Sequence, residues 1–366
     1  KIKKFQSKKL FNQYLNDEKY KNLQLYYIGL VGSDPEIFVE NEKQEIIPAF
    51  EFLGPKTNPN KTAKNLGKGG VILGEKPLYW DGFQAEFETE PNTCLSWQVD
   101  SVQCGLKGLL TKAKEYNNNA KLSMKTTFDI PFETILNAKD EHVNFGCMPS
   151  FNIYNMKGLK LSGREIPFRS SGGHIHFGTI INEREIEPIV KSLDAILGVA
   201  CVSLFDNYDD SRRRKLYGLA GEYRLPKHGL EYRVLSNMWL CHPLIMNMVF
   251  DLSRKVFSFG QQNLLTLWQA TEKETIETIN NCDVQQARVI LNRNKDLFLA
   301  ILSKIYNTNN EMMFNIYMNG VNSIVVNPLD VENNWNLNSK WVAHSDGIGK
   351  CFKTAWPILS KKEKVS

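Results

Sequence analysis

An α+β fold is predicted for this 366-residue chain, and three observations point to it. Two-residue hydrophobic alternation recurs in short segments between residues 25 and 235. Two longer stretches with helical spacing, 96–117 and 183–205, are set among them. From Met238 onward the spacing is mainly helical. The organisation expected is a basic N-terminal arm or helix (1–27), a strand-rich core (28–240) and a mainly helical C-terminal region packed on that core (241–366).

Residues 1–24 carry Lys1, Lys3, Lys4, Lys8 and Lys9 and read as a solvated basic arm or helix. Residues 25–40 are apolar and β-rich around Gly32-Ser-Asp-Pro, which predicts strand, tight turn, strand. Residues 55–74 are rich in Gly, Asn, Lys and Pro and predict a long loop. Residues 79–90 alternate as one strand, with Phe83, Ala85, Phe87 and Thr89 on one face and Gln84, Glu86, Glu88 and Glu90 on the other. A helix follows over 96–117 through Val99, Val102, Leu106, Leu109 and Leu110. Residues 172–181 form a further strand block. The segment 183–205 is an amphipathic helix with Ile186, Ile189, Leu193, Ile196 and Leu197 on one stripe. Residues 217–237 are turn-rich and end in a strand over 230–235, and helices are expected over 243–260, 264–280 and 284–306.

Hydrophobic residues make up 42% of the chain and charged residues 23%, a globular composition. With 45 basic and 40 acidic side chains the net charge is +5, too mild to argue for nucleic acid and no bar to it. Seven scattered cysteines without a Cys-x-x-Cys pair read as free, mostly buried thiols in a reducing compartment. No apolar run approaches the ~18 residues of a membrane span, and the lysine-rich start lacks the apolar core of a signal peptide. The expectation is a soluble, cytoplasmic protein with no membrane partner.

The chemistry-bearing residues lie between Gly32 and Asn237. Asp34 and Glu36 are two apart, so in an extended segment both point to one face, as do Glu86 and Glu88. Such pairs are either a solvated strand surface or a mutually repulsive set that needs a cation between them. His174 and His176 share a strand face among Gly172, Gly173 and Gly178. That spacing suits a zinc hydrolase, a cupin, a Mg²⁺ enzyme or a purely structural pair. Glu231 and Arg233 likewise share a face, with Arg224 before them and Arg212, Arg213 and Arg214 upstream. An acid to hold a metal beside an arginine to hold a phosphate is what phosphoryl transfer requires, although the two can also be a simple ion pair. The common phosphate loops are missing: Gly69–Gly74 runs into Glu75-Lys76 and fails the P-loop pattern.

Taken in chain order, these elements resemble the superfamily of glutamine synthetase and glutamate–cysteine ligase. The matching motifs are Asp34-Pro-Glu36, Gln84-Ala-Glu86, Gly172-Gly-His174-Ile-His176, and Arg224-Leu-Pro followed by Glu231-Tyr-Arg233. The phage-type carboxylate–amine ligase branch is similar at Gly32-Ser-Asp-Pro-Glu-Ile-Phe, at Phe145-Gly-Cys, at Arg169-Ser-Ser-Gly-Gly-His-Ile-His-Phe-Gly, and from Tyr217 through Asn237. The resemblance covers residues 28–240. It implies a glutamine synthetase-like catalytic core, a curved and mostly antiparallel sheet flanked by helices. It further implies two or three Mg²⁺ (or Mn²⁺) ions held by Asp34, Glu36, Glu86, His174 and Glu231. His176 would contact the phosphates of ATP, and Arg224 and Arg233, with Arg212 or Arg214, would clamp the γ-phosphoryl group. A substrate carboxylate would form an acyl phosphate, from which an amine displaces phosphate. The acid and amine, whether small molecule, peptide or protein, stay open, as does assembly into a homo-oligomer. The branch implies a phage-encoded protein of the host cytoplasm. Three alternatives accompany this reading: a guanidino-kinase-like phosphotransferase, an ATP-independent metal hydrolase using the His-x-His pair, and a non-catalytic binding protein.

Overall fold

A strand through the middle of the molecule carries both residues of the Asp34-Pro-Glu36 motif. In the computed structural model, which describes residues 29–62, 65–66, 72–73, 75–143, 150–156, 163–302 and 310–338, this strand is β1 (Leu30–Glu40). The basic arm and Phe145-Gly-Cys lie outside the described residues. The other strands are β2 (Asn60–Lys61), β3 (Asn65–Leu66), β4 (Ile72–Leu73), β5 (Pro77–Asp81), β6 (Gln84–Phe87), β7 (Lys121–Ser123), β8 (Thr127–Asp129), β9 (Phe151–Asn152), β10 (Phe168–Ser170), β11 (Gly173–Gly178), β12 (Glu222–Arg224) and β13 (Gly229–Tyr232). Nine of them form one sheet in the order β2-β5-β6-β1-β11-β13-β12-β9, with β7 also paired to β1. Every strand pairing in it is antiparallel, as expected.

Gly32-Ser-Asp-Pro was expected to turn the chain, and instead it runs straight through β1. Leu30 to Pro35 pair with β11 on one side, Glu36 and Ile37 pair with β6 on the other, and Phe38 to Glu40 pair with β7. Proline is tolerated because backbone N–H groups alternate sides along a strand. Ser33 N turns to the β6 side, where it donates to Thr89 Oγ1 at 2.8 Å. The N–H that Pro35 lacks belongs on that same side, where β6 ends at Phe87. The turn lies elsewhere: the single strand expected over 79–90 is a hairpin. Asp81 pairs with Gln84 across Gly82-Phe83, and Gly82 has φ +63°, the glycine-first pattern of a type II′ hairpin turn.

Alternation decides the two faces of the sheet. Val31, Ile37, Val39, Ala85, Phe87, Ile175, Phe177, Leu230 and Tyr232 are all buried, and they belong to a core shared with the helices. Leu95–Tyr116 packs close enough that a Cβ at Gly105 would fall 2.2 Å from the Phe87 ring. Pro243–Gln261 brings Phe257 onto Phe177, ring centroids 4.5 Å apart. The expected helix over 183–205 is found as Glu183–Ser192, a π turn Leu193–Gly198, and Val199–Phe205. Its extension Glu183–Tyr208 is long and apolar enough to cross a membrane, with mean hydropathy 1.7. Yet 89% of that apolar window is buried inside the protein, so its apolar surface is spent on the core.

Residues beyond 241 join the same hydrophobic core, down to Trp335 and Leu337. The helix expected over 264–280 is a short 3₁₀ turn, Leu265–Leu267, followed by Glu272–Asn280. The break has a local cause, since Thr271 Oγ1 accepts from Glu274 N at 3.1 Å and starts a new helix as its N-cap. The one expected over 284–306 divides at Asn294 into Val284–Arg293 and Lys295–Ile301. Cys104, Cys201 and Cys241 are buried free thiols, and Cys94 is exposed.

Candidate active site

Register alone assembles the site. Directly opposed residues in an antiparallel pair project to the same face. Glu36 lies opposite Glu86, Asp34 opposite His174, His176 opposite Glu231, and Glu231 opposite Arg224. A row of charged side chains thus crosses five adjacent strands on the face away from the helical core. Glu36, Glu86, His174, Glu231 and Arg233 are buried, so the row is not a solvated strand surface.

Two groups of donor atoms stand out. In the first, one ligand atom each from Asp34, His176 and Glu231 lie within 4.8 Å of one another. His176 Nε2 is 3.1 Å from Asp34 Oδ1, and His174 Nδ1 is 3.4 Å from that oxygen and 3.5 Å from Glu231 Oε1. Asp34 Oδ1, His174 Nε2 and His176 Nε2 are nonetheless buried without an aligned hydrogen bond. Buried polar atoms are rarely left so, and facing donors of this kind fit a common cation. His176, expected to touch phosphate, is in this group, while His174 stands beside it. Burial works to raise the Asp34 carboxyl, but the neighbouring His176 and His174 hold it well below the usual carboxylate range. Burial likewise opposes charge on His176, yet Asp34 and Glu231 carry its pKa upward. His228 Nε2 lies 3.0 Å from His176 Nδ1, and burial together with the His176 charge lowers its pKa.

The second group is Glu36, Asp81 and Glu86, again within 4.8 Å. Burial and the Glu36 charge push Asp81 up to about 6. Burial, with Asp34, Asp81 and Glu36 around it, raises Glu86 well above its ordinary value. Like charges packed this way hold protons unless a cation neutralises them. Glu36 is fixed by Gly172 N, which donates to Oε2 at 2.7 Å, and by the Tyr217 hydroxyl. The Tyr79 hydroxyl donates to Glu86. An all-oxygen set suits Mg²⁺, and the mixed nitrogen–oxygen set suits Mn²⁺ at least as well.

Arginines flank the first group. Arg233 Nη1 donates to Glu231 Oε1 at 2.8 Å and Arg224 Nη1 is 3.6 Å from the same oxygen. Arg212 and Arg214 are not gathered with them. Arg212 is held by Asp210 at 2.7 Å and Asp129 at 2.8 Å, on a separate cavity of about 430 Å³ that also includes Lys125 and Tyr208. Arg214 is buried, donating to the carbonyls of Gly218 and Val234 and lying 3.3 Å from Asp209. Sequence reasoning missed Asp81, Tyr79 and Tyr217. The signal for Asp81 was the Asp81-Gly82 turn, which folds it back beside Glu86. A cavity of about 570 Å³ opens next to His228, with Leu30, Ile180, Leu225 and Pro226 in its walls.

Comparison with known proteins places the chain in a family described as ligase-type. The family model described as Phage phiEco32-like COOH.NH2 ligase-type 2 matches residues 154–337, half of the chain, and the chain belongs to that family. The match takes in His174, His176, Arg224, Glu231 and Arg233, and it extends through the helical region beyond residue 240. No curated protein matches. A solved structure of a bifunctional glutathione synthetase from Pasteurella multocida is 12% identical over 95% of this chain, with TM-score 0.44. The chain spans 54% of that protein's length. A structure of the complex between the prokaryotic ubiquitin-like protein Pup and its ligase PafA is similar at 10% identity and TM-score 0.45. It covers 91% of this chain and 68% of that one.

Proposed function

We propose that the protein is an ATP- and Mg²⁺-dependent carboxylate–amine ligase acting through an acyl phosphate. The observation that carries this reading is the register row that sets Asp34, His176 and Glu231 beside Arg224 and Arg233 on one sheet face. Divalent ions at the two acidic groups would supply charge to screen the phosphates of ATP from the substrate carboxylate. Asp34, His176 and Glu231 would hold one ion, and Glu36, Asp81 and Glu86 a second, with His174 orienting Asp34. Arg224 and Arg233 would contact the γ-phosphoryl group, whose transfer spreads negative charge over its equatorial oxygens. The cavity beside His228 offers room for the nucleoside while the phosphates reach the row. A carboxylate oxygen attacks the γ-phosphorus and ADP leaves; the amine nitrogen then attacks the acyl carbon and phosphate departs with that oxygen. The sheet would orient both substrates, which together with the electrostatic stabilisation of the transferring group would supply the acceleration.

The test uses hydroxylamine as a general amine against a panel of free amino acids. The ligase reading expects ADP release together with a ferric-staining hydroxamate. ADP without hydroxamate favours the phosphotransferase alternative, and turnover of esters or amides without ATP favours the hydrolase.

A further inference from the structure

Lys56 has no role in the arrangement described so far, although it reaches into it. Its backbone is pinned at the sheet edge. Pro55 bridges in parallel to Trp80, Trp80 N donates to Gly54 O at 3.1 Å, and Asn58 N closes a turn onto Pro55 O at 2.9 Å. From there the ammonium passes over the Tyr79 ring, 4.8 Å from its centroid. It donates to Tyr79 Oη at 2.9 Å and pairs with Glu88 Oε1 at 2.9 Å. It also lies 3.8 Å from Glu86 Oε1, one of the three carboxylates of the all-oxygen group. The side chain is 62% exposed, and its flexible four-carbon stem can swing outward without disturbing the core.

An ammonium and a divalent ion repel each other when both lie against one carboxylate. A pinned backbone with a free stem therefore offers two positions for a single charge, inward on Glu86 and Glu88 or outward toward solvent. We propose that Lys56 is a built-in counter-cation of the Glu36, Asp81, Glu86 group, displaced outward by a divalent ion and then paired with the phosphate of the incoming nucleotide. This rests on the metal-and-ATP reading above. It has a signature that a simple surface lysine lacks, because removing the ammonium acts on the two ligands in opposite directions.

The experiment titrates MnCl₂ calorimetrically into the full chain and into Lys56→Met, and then ATP into each at saturating Mn²⁺. Lys56→Met is expected to bind Mn²⁺ about fivefold more tightly, the scale of one unit charge at about 4 Å in water, and to bind ATP several-fold more weakly. Thermal melts confirm that the variant keeps the fold. Equal Mn²⁺ affinity in the two proteins overturns the counter-cation role, and unchanged ATP affinity overturns the pairing with phosphate. Failure of both proteins to bind Mn²⁺ overturns the metal reading itself and the proposal with it.

Discussion

Arg233, the residue that follows β13, and Glu231 within it form a buried ion pair, Nη1 to Oε1 at 2.8 Å, with both side chains almost wholly out of solvent. Removing one partner leaves the other charge uncompensated in the protein interior. Arg233→Ala is therefore expected to lower stability by about 3–5 kcal/mol, read from urea unfolding. Glu231→Gln keeps the volume and the hydrogen bond from Arg233 but not the compensating charge, so it too should lose stability, while turnover of the protein that stays folded falls by at least ~10²-fold. Near-normal turnover in Glu231→Gln would remove Glu231 from the mechanism.

Gly172 is predicted to be intolerant of even one methyl group. A Cβ there would stand 2.5 Å from His174 Nε2 and 3.0 Å from Tyr217 Oη, both of which border the acidic row. Gly172→Ala should weaken Mn²⁺ binding by calorimetry more than tenfold, a loss of about 1.4 kcal/mol. A variant that binds Mn²⁺ as the parent does would show that His174 and Tyr217 can shift without consequence.

The two arginine sets are expected to separate. Arg212 is tied to Asp129 and Asp210 at a half-exposed position, where such pairs contribute roughly 0–1 kcal/mol. Arg212→Ala should leave ATP affinity within about twofold of the parent, whereas Arg224→Ala should weaken it by an order of magnitude or more, as loss of a charge-assisted phosphate contact does. Equal losses in fluorescence titrations with a labelled ATP would return Arg212 to the site.

Asp194 predicts a pH dependence of stability. It sits in the π turn, buried, and accepts from the Tyr232 hydroxyl at 2.7 Å. Burial pushes its carboxyl up to about 7 against the hydrogen bonds from Tyr232 and Tyr154. The native state thus keeps a proton that the unfolded chain, with a carboxyl near ~4, has released. This contribution to stability is complete below about pH 4 and is lost as pH rises through about 7. Urea midpoints should therefore fall less between pH 5 and 8 in Asp194→Asn than in the parent. An identical fall would contradict the assignment.

Much of this was legible before the structure. Strand alternation placed Glu36, Glu86, His174 and Glu231 on sheet faces, because period two follows directly from the extended backbone. Sequence could not supply register, which depends on turns and long-range packing. That is why Asp81, brought back to Glu86 by the Gly82 hairpin, went unseen, and why Pro35 looked like a turn rather than a strand residue changing neighbours. The run Arg212 to Arg214 looked like a phosphate clamp because charge is visible in sequence and its partners are not. Asp209, Asp210 and Asp129 neutralise it in the fold. The π turn at Leu193–Gly198 left no mark on the helical stripe.

The central claim, that ATP is held on this sheet face through divalent ions, is tested most directly by isothermal titration of ATP with and without Mg²⁺, into the parent and Glu231→Gln. The account predicts binding that requires Mg²⁺ and is lost in the variant. No ATP binding under any metal condition, or binding that neither Mg²⁺ nor Glu231 affects, would contradict it.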